Sequence, residues 1–160
     1  MSDLKLDMPK TALVLIDLQN GIVGRDTKPY AAMEVVERAA KLADAFRAKG
    51  SLVVYVRVNM SDFMSVPADE AMAIPKDIPA AASEIASAAG MQAGDVLVTK
   101  RHWGAFAGTN LEEVLRSRGV ETVVLGGIAT NLGVESTLRQ GTGLGSVSYT
   151  HLTLPTIYSV

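Results

Sequence analysis

A chain of 160 residues, 48% of them hydrophobic, is long enough for one domain with a packed core. Its 15 Lys and Arg are dispersed among 17 Asp and Glu, so a net charge near −2 points to neither nucleic acid nor an anionic membrane as partner. The N-terminus MSDLKLDMPK lacks the apolar run of a secretory signal, no stretch has transmembrane length, and the absence of cysteine excludes disulfides and fits a cytoplasmic location.

The elements follow from the apolar pattern. Thr11–Leu18 is a continuous apolar run ending in Asp17, which predicts a parallel strand buried on both faces. Val35, Ala39, Leu42, Ala43 and Phe46 recur at helical spacing, and Gly50 closes that helix. Ser51–Val58, rich in β-branched residues, is the second strand. Met60–Pro79 carries three prolines and no sustained period, so it reads as an excursion over the site. An Ala-rich helix is expected over Ala80–Ala89 and a third strand over Asp95–Thr99. Thr109-Asn110-Leu111-Glu112 has the form of a capping box, with Leu111, Val114 and Leu115 turned inward behind it. Glu121–Leu125 is the fourth strand, and a further helix begins near Asn131. Alternating strands and helices imply a parallel sheet covered on both faces, with ligands bound beyond the carboxyl ends of its strands. Asp17 and the turn from Gly126 to Gly133 both fall at that end.

A carboxylate ending an apolar strand is unfavourable unless it has a partner or a task. Burial raises the pKa of such a group and a nearby Lys100 lowers it. Thr130 and Ser136 are available hydroxyls, but no histidine base stands beside them in the motif. His102 stands alone among VTKRHWGAF, and His151 lies near the chain's end.

Three segments, ALVLIDLQN (Ala12–Asn20), VTKRHWGAFAGTNL (Val98–Leu111) and GGIATNLGVEST (Gly126–Thr137), resemble the isochorismatase-like hydrolases. That family includes nicotinamidases, carbamoyl-amidases and isochorismatase itself. The resemblance implies an α/β, three-layer α/β/α Rossmann-like fold and a catalytic triad of aspartate, lysine and cysteine. The aspartate falls at Asp17, the lysine at Lys100, and the cysteine slot holds Gly133. Substrate-binding positions are implied at Gln19, Trp103, Phe106, Ile128, Ala129 and Thr130. The family's turn also implies a cis peptide at Ile128–Ala129 and backbone amides that bind an oxyanion. Its nicotinamidases hold metal with an Asp-x-His…His pattern after the second strand. Here that region reads VRVNMSDFMSVP, with Asp62 and no histidine, so no metal or other cofactor is expected.

Glycine cannot act as a nucleophile, which excludes amidase action through a thiol-enzyme. Isochorismatase proper likewise has glycine in this slot and cleaves a vinyl ether by protonating its substrate. The resemblance therefore implies a hydrolase of a small, anionic metabolite, with Asp17 as acid and Lys100 as its electrostatic partner. The alternative is a binding or regulatory member that has lost turnover. Homodimers or homotetramers are what the family implies.

The segment VSYTHLTLPT (Val147–Thr156) back-translates to the transposon adapter used to prepare sequencing libraries. Residues 1–145 are accordingly expected to be an incomplete, C-terminally truncated domain, and 146–160 a non-native tail. A natural Ser/Thr-rich strand and tail is the alternative. Ser146–Leu152 is expected to pair beside the fourth strand, leaving part of the Val123–Leu125 neighbourhood exposed.

Overall fold

The computed structural model describes residues 5–63, 77–145 and 147–150, the last four through their backbone. Among these residues five strands, β1 (Thr11–Ile16), β2 (Leu52–Val58), β3 (Val96–Lys100), β4 (Thr122–Gly127) and β5 (Val147–Thr150), form one sheet in the order β3-β2-β1-β4-β5. Every pairing is parallel. β1 sits at the centre and is buried along its whole length, which is why its sequence does not alternate.

Period-two geometry sends successive side chains of β1 to opposite cores. After the short helix α1 (Asn20–Val23) comes α2 (Ala32–Ala48), whose Val35, Val36, Ala39, Ala43 and Phe46 face the sheet and cover Leu13, Leu15, Val53, Tyr55 and Val124. Ala12, Val14 and Ile16 join Val54, Val56, Val98, Val123 and Leu125 on the other face. There they meet Leu111 and Leu115 of α3 (Leu111–Ser117) and Val134, just before α4 (Glu135–Gly143). Gly50, at φ +77°, closes α2 as expected. Leu42 does not join the core; it is 41% exposed, on the outer side of α2.

The chain reverses its order between β1 and β4, and the carboxyl ends of these two strands open the crevice where a ligand is expected. They approach closely there. Gly127 sits at φ +148°, and a Cβ on it would collide with the backbone of Ile16. Only glycine satisfies both conditions. Ile128 N–H then donates to the Ile16 carbonyl at 3.0 Å, continuing the ladder past the strand ends.

Two local expectations are corrected. Ala80–Ala89 is not one helix but two 3₁₀ turns, Ala80–Ser83 and Ser87–Ala89. The residues between them are drawn into extended backbone by Leu18–Asn20: Asn20 N–H donates to the Glu84 carbonyl and Ala86 N–H to the Leu18 carbonyl. Tertiary pairing outweighs the helical propensity of alanine here. Thr109 does not close a capping box either. Its hydroxyl accepts from Leu111 N–H and donates to the Ala105 carbonyl, while Glu112 pairs with Arg116. Val123, Val124 and Leu125 are themselves buried where β5 pairs with residues 122–125 of β4, while the neighbouring Leu144 is 40% exposed. The remainder of the tail, Ser146 and residues 151–160, and residues 64–76 of the excursion lie outside the described residues. No described helix is long and apolar enough to cross a membrane.

Gln19 joins the strand ends to this rim. It is fully buried; its amide nitrogen donates to the carbonyls of Val58 (3.0 Å) and Ala82 (3.1 Å), and its oxygen accepts from Val58 N–H (2.7 Å). Replacing Gln19 with Leu strands one buried backbone donor and two acceptors. We expect Q19L to lose about 2–3 kcal/mol of stability in chemical denaturation, and an unchanged midpoint would show that the clamp is dispensable.

Candidate active site

β1 ends at Ile16, and the next residue, Asp17, adopts φ +60°. A left-handed conformation is uncommon outside glycine, and aspartate tolerates it better than most residues. The turn takes Asp17 out of the alternation that would have sent its side chain into the core under α2. Its N–H is held by the Val56 carbonyl at 2.8 Å, so the backbone bends without releasing its partner.

Lys100 is the last residue of β3, two strands away, and is 1% exposed. Its Nζ donates to Asp17 Oδ2 at 2.9 Å and to the Trp103 carbonyl at 2.8 Å. An ammonium has three protons, so one is left beyond these two bonds. The other carboxylate oxygen, Asp17 Oδ1, is buried and has no hydrogen-bond partner among the described residues. Burial pushes the Asp17 carboxyl above the usual aspartate range, and the charge and hydrogen bond of Lys100 pull it back only in part. An orphaned carboxylate oxygen beside a single cation is the arrangement of a group that can hold a proton.

Gly133 completes the cluster. A Cβ built there would lie 2.7 Å from Asp17 Oδ2, 3.0 Å from Lys100 Nζ and 3.1 Å from Ile16 Cγ2. The ion pair therefore leans into the volume that any other side chain would begin to fill. The helical winding that carries Gly133 starts at Thr130, but its first turn is a π turn, Thr130–Val134, and α4 proper begins at Glu135. The turn before it is made by Ala129 at φ +61°, whose carbonyl accepts from Leu132 N–H and Val134 N–H. The expected cis peptide at Ile128–Ala129 is absent: the cis bond among the described residues is Lys28–Pro29. Positive φ at Gly127 and Ala129 turns the chain instead.

The other expected binding positions divide. Trp103 stands at the site: its carbonyl binds Lys100 and its ring meets Phe63 edge-on at 4.8 Å between centroids. Phe106 does not face the pair; it packs into the core beneath α3 and α4, beside Val14, Leu111 and Leu138. Ile128 is fully buried in the core under α2, and both amide protons of Gln19 are taken within the chain. Thr130 is half-buried at the first residue of the π turn.

Three contributors lay outside the sequence reading. Phe63 belongs to the excursion after β2, where no periodicity marks it. Thr137 and Gln140 reach from α4 to the loop after Lys100: Thr137 Oγ1 accepts from Ala105 N–H at 3.0 Å, and Gln140 Oε1 from Phe106 N–H at 3.1 Å. Their spacing from Gly133, one and two helical turns, is the signal that places them on its face.

A family model described as the isochorismatase domain matches residues 11–150. An uncharacterised isochorismatase family protein of Bacillus subtilis, YwoC, is 46% identical over 149 residues, which cover 91% of this chain and 77% of the relative. The structure of an isochorismatase family protein from Burkholderia thailandensis superposes with a TM-score of 0.87 at 40% identity, covering 94% of this chain and 81% of that one. N-carbamoylsarcosine amidase from Thermoplasma acidophilum is similar at a TM-score of 0.74 and 26% identity, over 94% of this chain and 86% of its own. The domain match spans nearly the whole described chain and includes Asp17, Lys100 and Gly133, so this chain belongs to the isochorismatase family of hydrolases.

Proposed function

We propose that this isochorismatase-family hydrolase acts on a small anionic metabolite through Asp17 and Lys100, without a covalent nucleophile, and that the bond it cleaves is a vinyl ether. The observation that carries the reading is the placement of the buried pair against Gly133, where the first carbon of a cysteine would stand within 2.7 Å of the carboxylate. A site that lacks a thiol and keeps a carboxyl with a raised pKa is suited to donating a proton.

In vinyl-ether hydrolysis the protonated Asp17 carboxyl delivers its proton to the terminal vinyl carbon, leaving an oxocarbenium ion. Water adds to the oxocarbenium carbon and gives up a proton to the Asp17 carboxylate, which restores the acid, and the resulting hemiketal splits into a carbonyl compound and an alcohol. Lys100 stabilises the carboxylate left behind, and its remaining proton is available to an anionic group of the substrate. The Ala129 and Gly133 amides serve as the second anion contact. N-carbamoylsarcosine amidase is named for amide chemistry, and that chemistry is not carried to this chain.

The test is a panel of small vinyl ethers, amides and esters. Turnover of a vinyl ether, reduced at least about 100-fold by D17N, is the expected result. Turnover of amides alone overturns the reading, and tight binding without turnover replaces it with a binding or regulatory role. The rate should fall as pH rises through the Asp17 pKa, because the acid form does the work.

Stability provides an independent check. Between the unfolded and folded pKa of Asp17 the native state holds more protons than the unfolded one. Its contribution is therefore fully present below the ordinary aspartate value of 3.8 and is lost as pH rises through the higher folded value. The unfolding free energy of the wild type minus that of D17N should decline over this window. A difference that rises with pH would mean that Lys100, rather than burial, dominates the carboxyl.

Restoring the nucleophile is a third expectation. In G133C the helix start and Lys100 both favour the thiolate, so iodoacetamide at pH 6.5 should alkylate it faster than a free thiol. Ordinary thiol reactivity would argue against an electropositive environment at Gly133.

A further inference from the structure

We propose that Thr137 is the positioning residue of the Asp17–Lys100 pair, its hydroxyl fixing the loop after Lys100 at a set distance from Gly133. The inference rests on the reading of that pair as the working site. Thr137 is 2% exposed and follows Gly133 by one helical turn. Its hydroxyl donates to the Gly133 carbonyl at 2.6 Å, an ordinary bond for a helical threonine. The second bond is not ordinary. The same oxygen accepts from the N–H of Ala105, a fully buried residue 32 positions away.

Two residues before Ala105, the Trp103 carbonyl binds Lys100 Nζ, and Nζ binds Asp17 Oδ2, which lies over Gly133. The contacts thus close a ring: Gly133 to Thr137, to Ala105 and Trp103, to Lys100, to Asp17, and back to Gly133. Gln140 supports the same loop by accepting from Phe106 N–H while its amide covers Gly104, where a Cβ would collide with it. Glycine at 133 removes the side chain that would otherwise separate the pair from the helix, so the loop's position has to be set from elsewhere. Thr137 does this with one oxygen. Lys100 is the charged side chain that acts on the Asp17 carboxyl among the described residues, so its distance is read directly in the Asp17 titration.

The experiment follows the Asp17 carboxyl carbon by NMR in aspartate-labelled protein, assigned with D17N, for the wild type, T137V and T137S. Valine keeps the shape of threonine and removes the hydroxyl; serine keeps the hydroxyl. T137V should raise the Asp17 midpoint as Lys100 loosens, and T137S should titrate as the wild type does. With a vinyl ether that the wild type turns over, T137V should lower kcat roughly 10- to 100-fold with little change in KM. T137A carries the same expectation and replaces T137V should the valine variant not fold. An unchanged midpoint in the hydroxyl-free variant, or an equal shift in T137S, overturns the proposal. If the wild type turns over no member of the panel, the functional reading falls while the titration still decides the role of Thr137.

Discussion

A buried lysine–aspartate pair, closed against a residue with no side chain, is the constraint on which the rest of this site depends. Burying two charges is unfavourable unless their geometry is good and their remaining valences are met. Among the described residues Lys100 has two acceptors, Asp17 Oδ2 at 2.9 Å and the Trp103 carbonyl at 2.8 Å, yet Asp17 Oδ1 has no donor. The imbalance leaves a carboxyl that burial pushes toward its neutral form. A fully satisfied pair would be a structural salt bridge; this one keeps an open position on the side of the acid.

The sheet brings the pair together from strands that are not neighbours. Asp17 follows β1 and Lys100 ends β3, with β2 between them. The register aligns Val58 of β2 with Lys100, and Asp17 N–H reaches the Val56 carbonyl, so β2 acts as the spacer. Gly133 arrives from the opposite side, after β4, because the sheet reverses its strand order there. Gly127 allows β4 to come close enough to Ile16 for that approach. Each strand end is then tied down: Gln19 clamps β1 to β2 and to the 80–86 segment, while Thr137 and Gln140 tie α4 to the loop after β3. Rigid strand ends with supported side chains are what proton transfer requires, since misplacement of about 1 Å is enough to lose much of the rate.

Under the proposed function, glycine in place of a nucleophile changes what this fold can do more than it changes the fold. The likeness to an N-carbamoylsarcosine amidase at a TM-score of 0.74 shows how far the architecture is shared. Glycine at 133 leaves the carboxylate and ammonium in volume that a Cβ would enter, 2.7 Å from Asp17 Oδ2 and 3.0 Å from Lys100 Nζ. Family membership and fold therefore do not transfer a substrate, which has to be argued from the site.

The sequence by itself determined the parallel sheet, the central place of β1, the helix under Gly50 and the three segments that carry Asp17, Lys100 and Gly133, because continuous apolar runs and glycine stops are local signals. It did not determine where the side chains of the neighbouring residues point. Phe106 and Ile128 lie beside the motif in sequence and pack into opposite cores, and Gln19 spends its amide on the backbone of two other segments. The Ala-rich stretch had helical propensity, yet its middle is extended because Leu18 and Asn20 pair with it. The Thr137 bridge and the orphaned Asp17 oxygen exist only once distant segments meet. Local propensity and pattern set the elements; the close approach of strand ends 83 positions apart in the chain, and the hydrogen bonds left over when they meet, are properties of the tertiary structure alone.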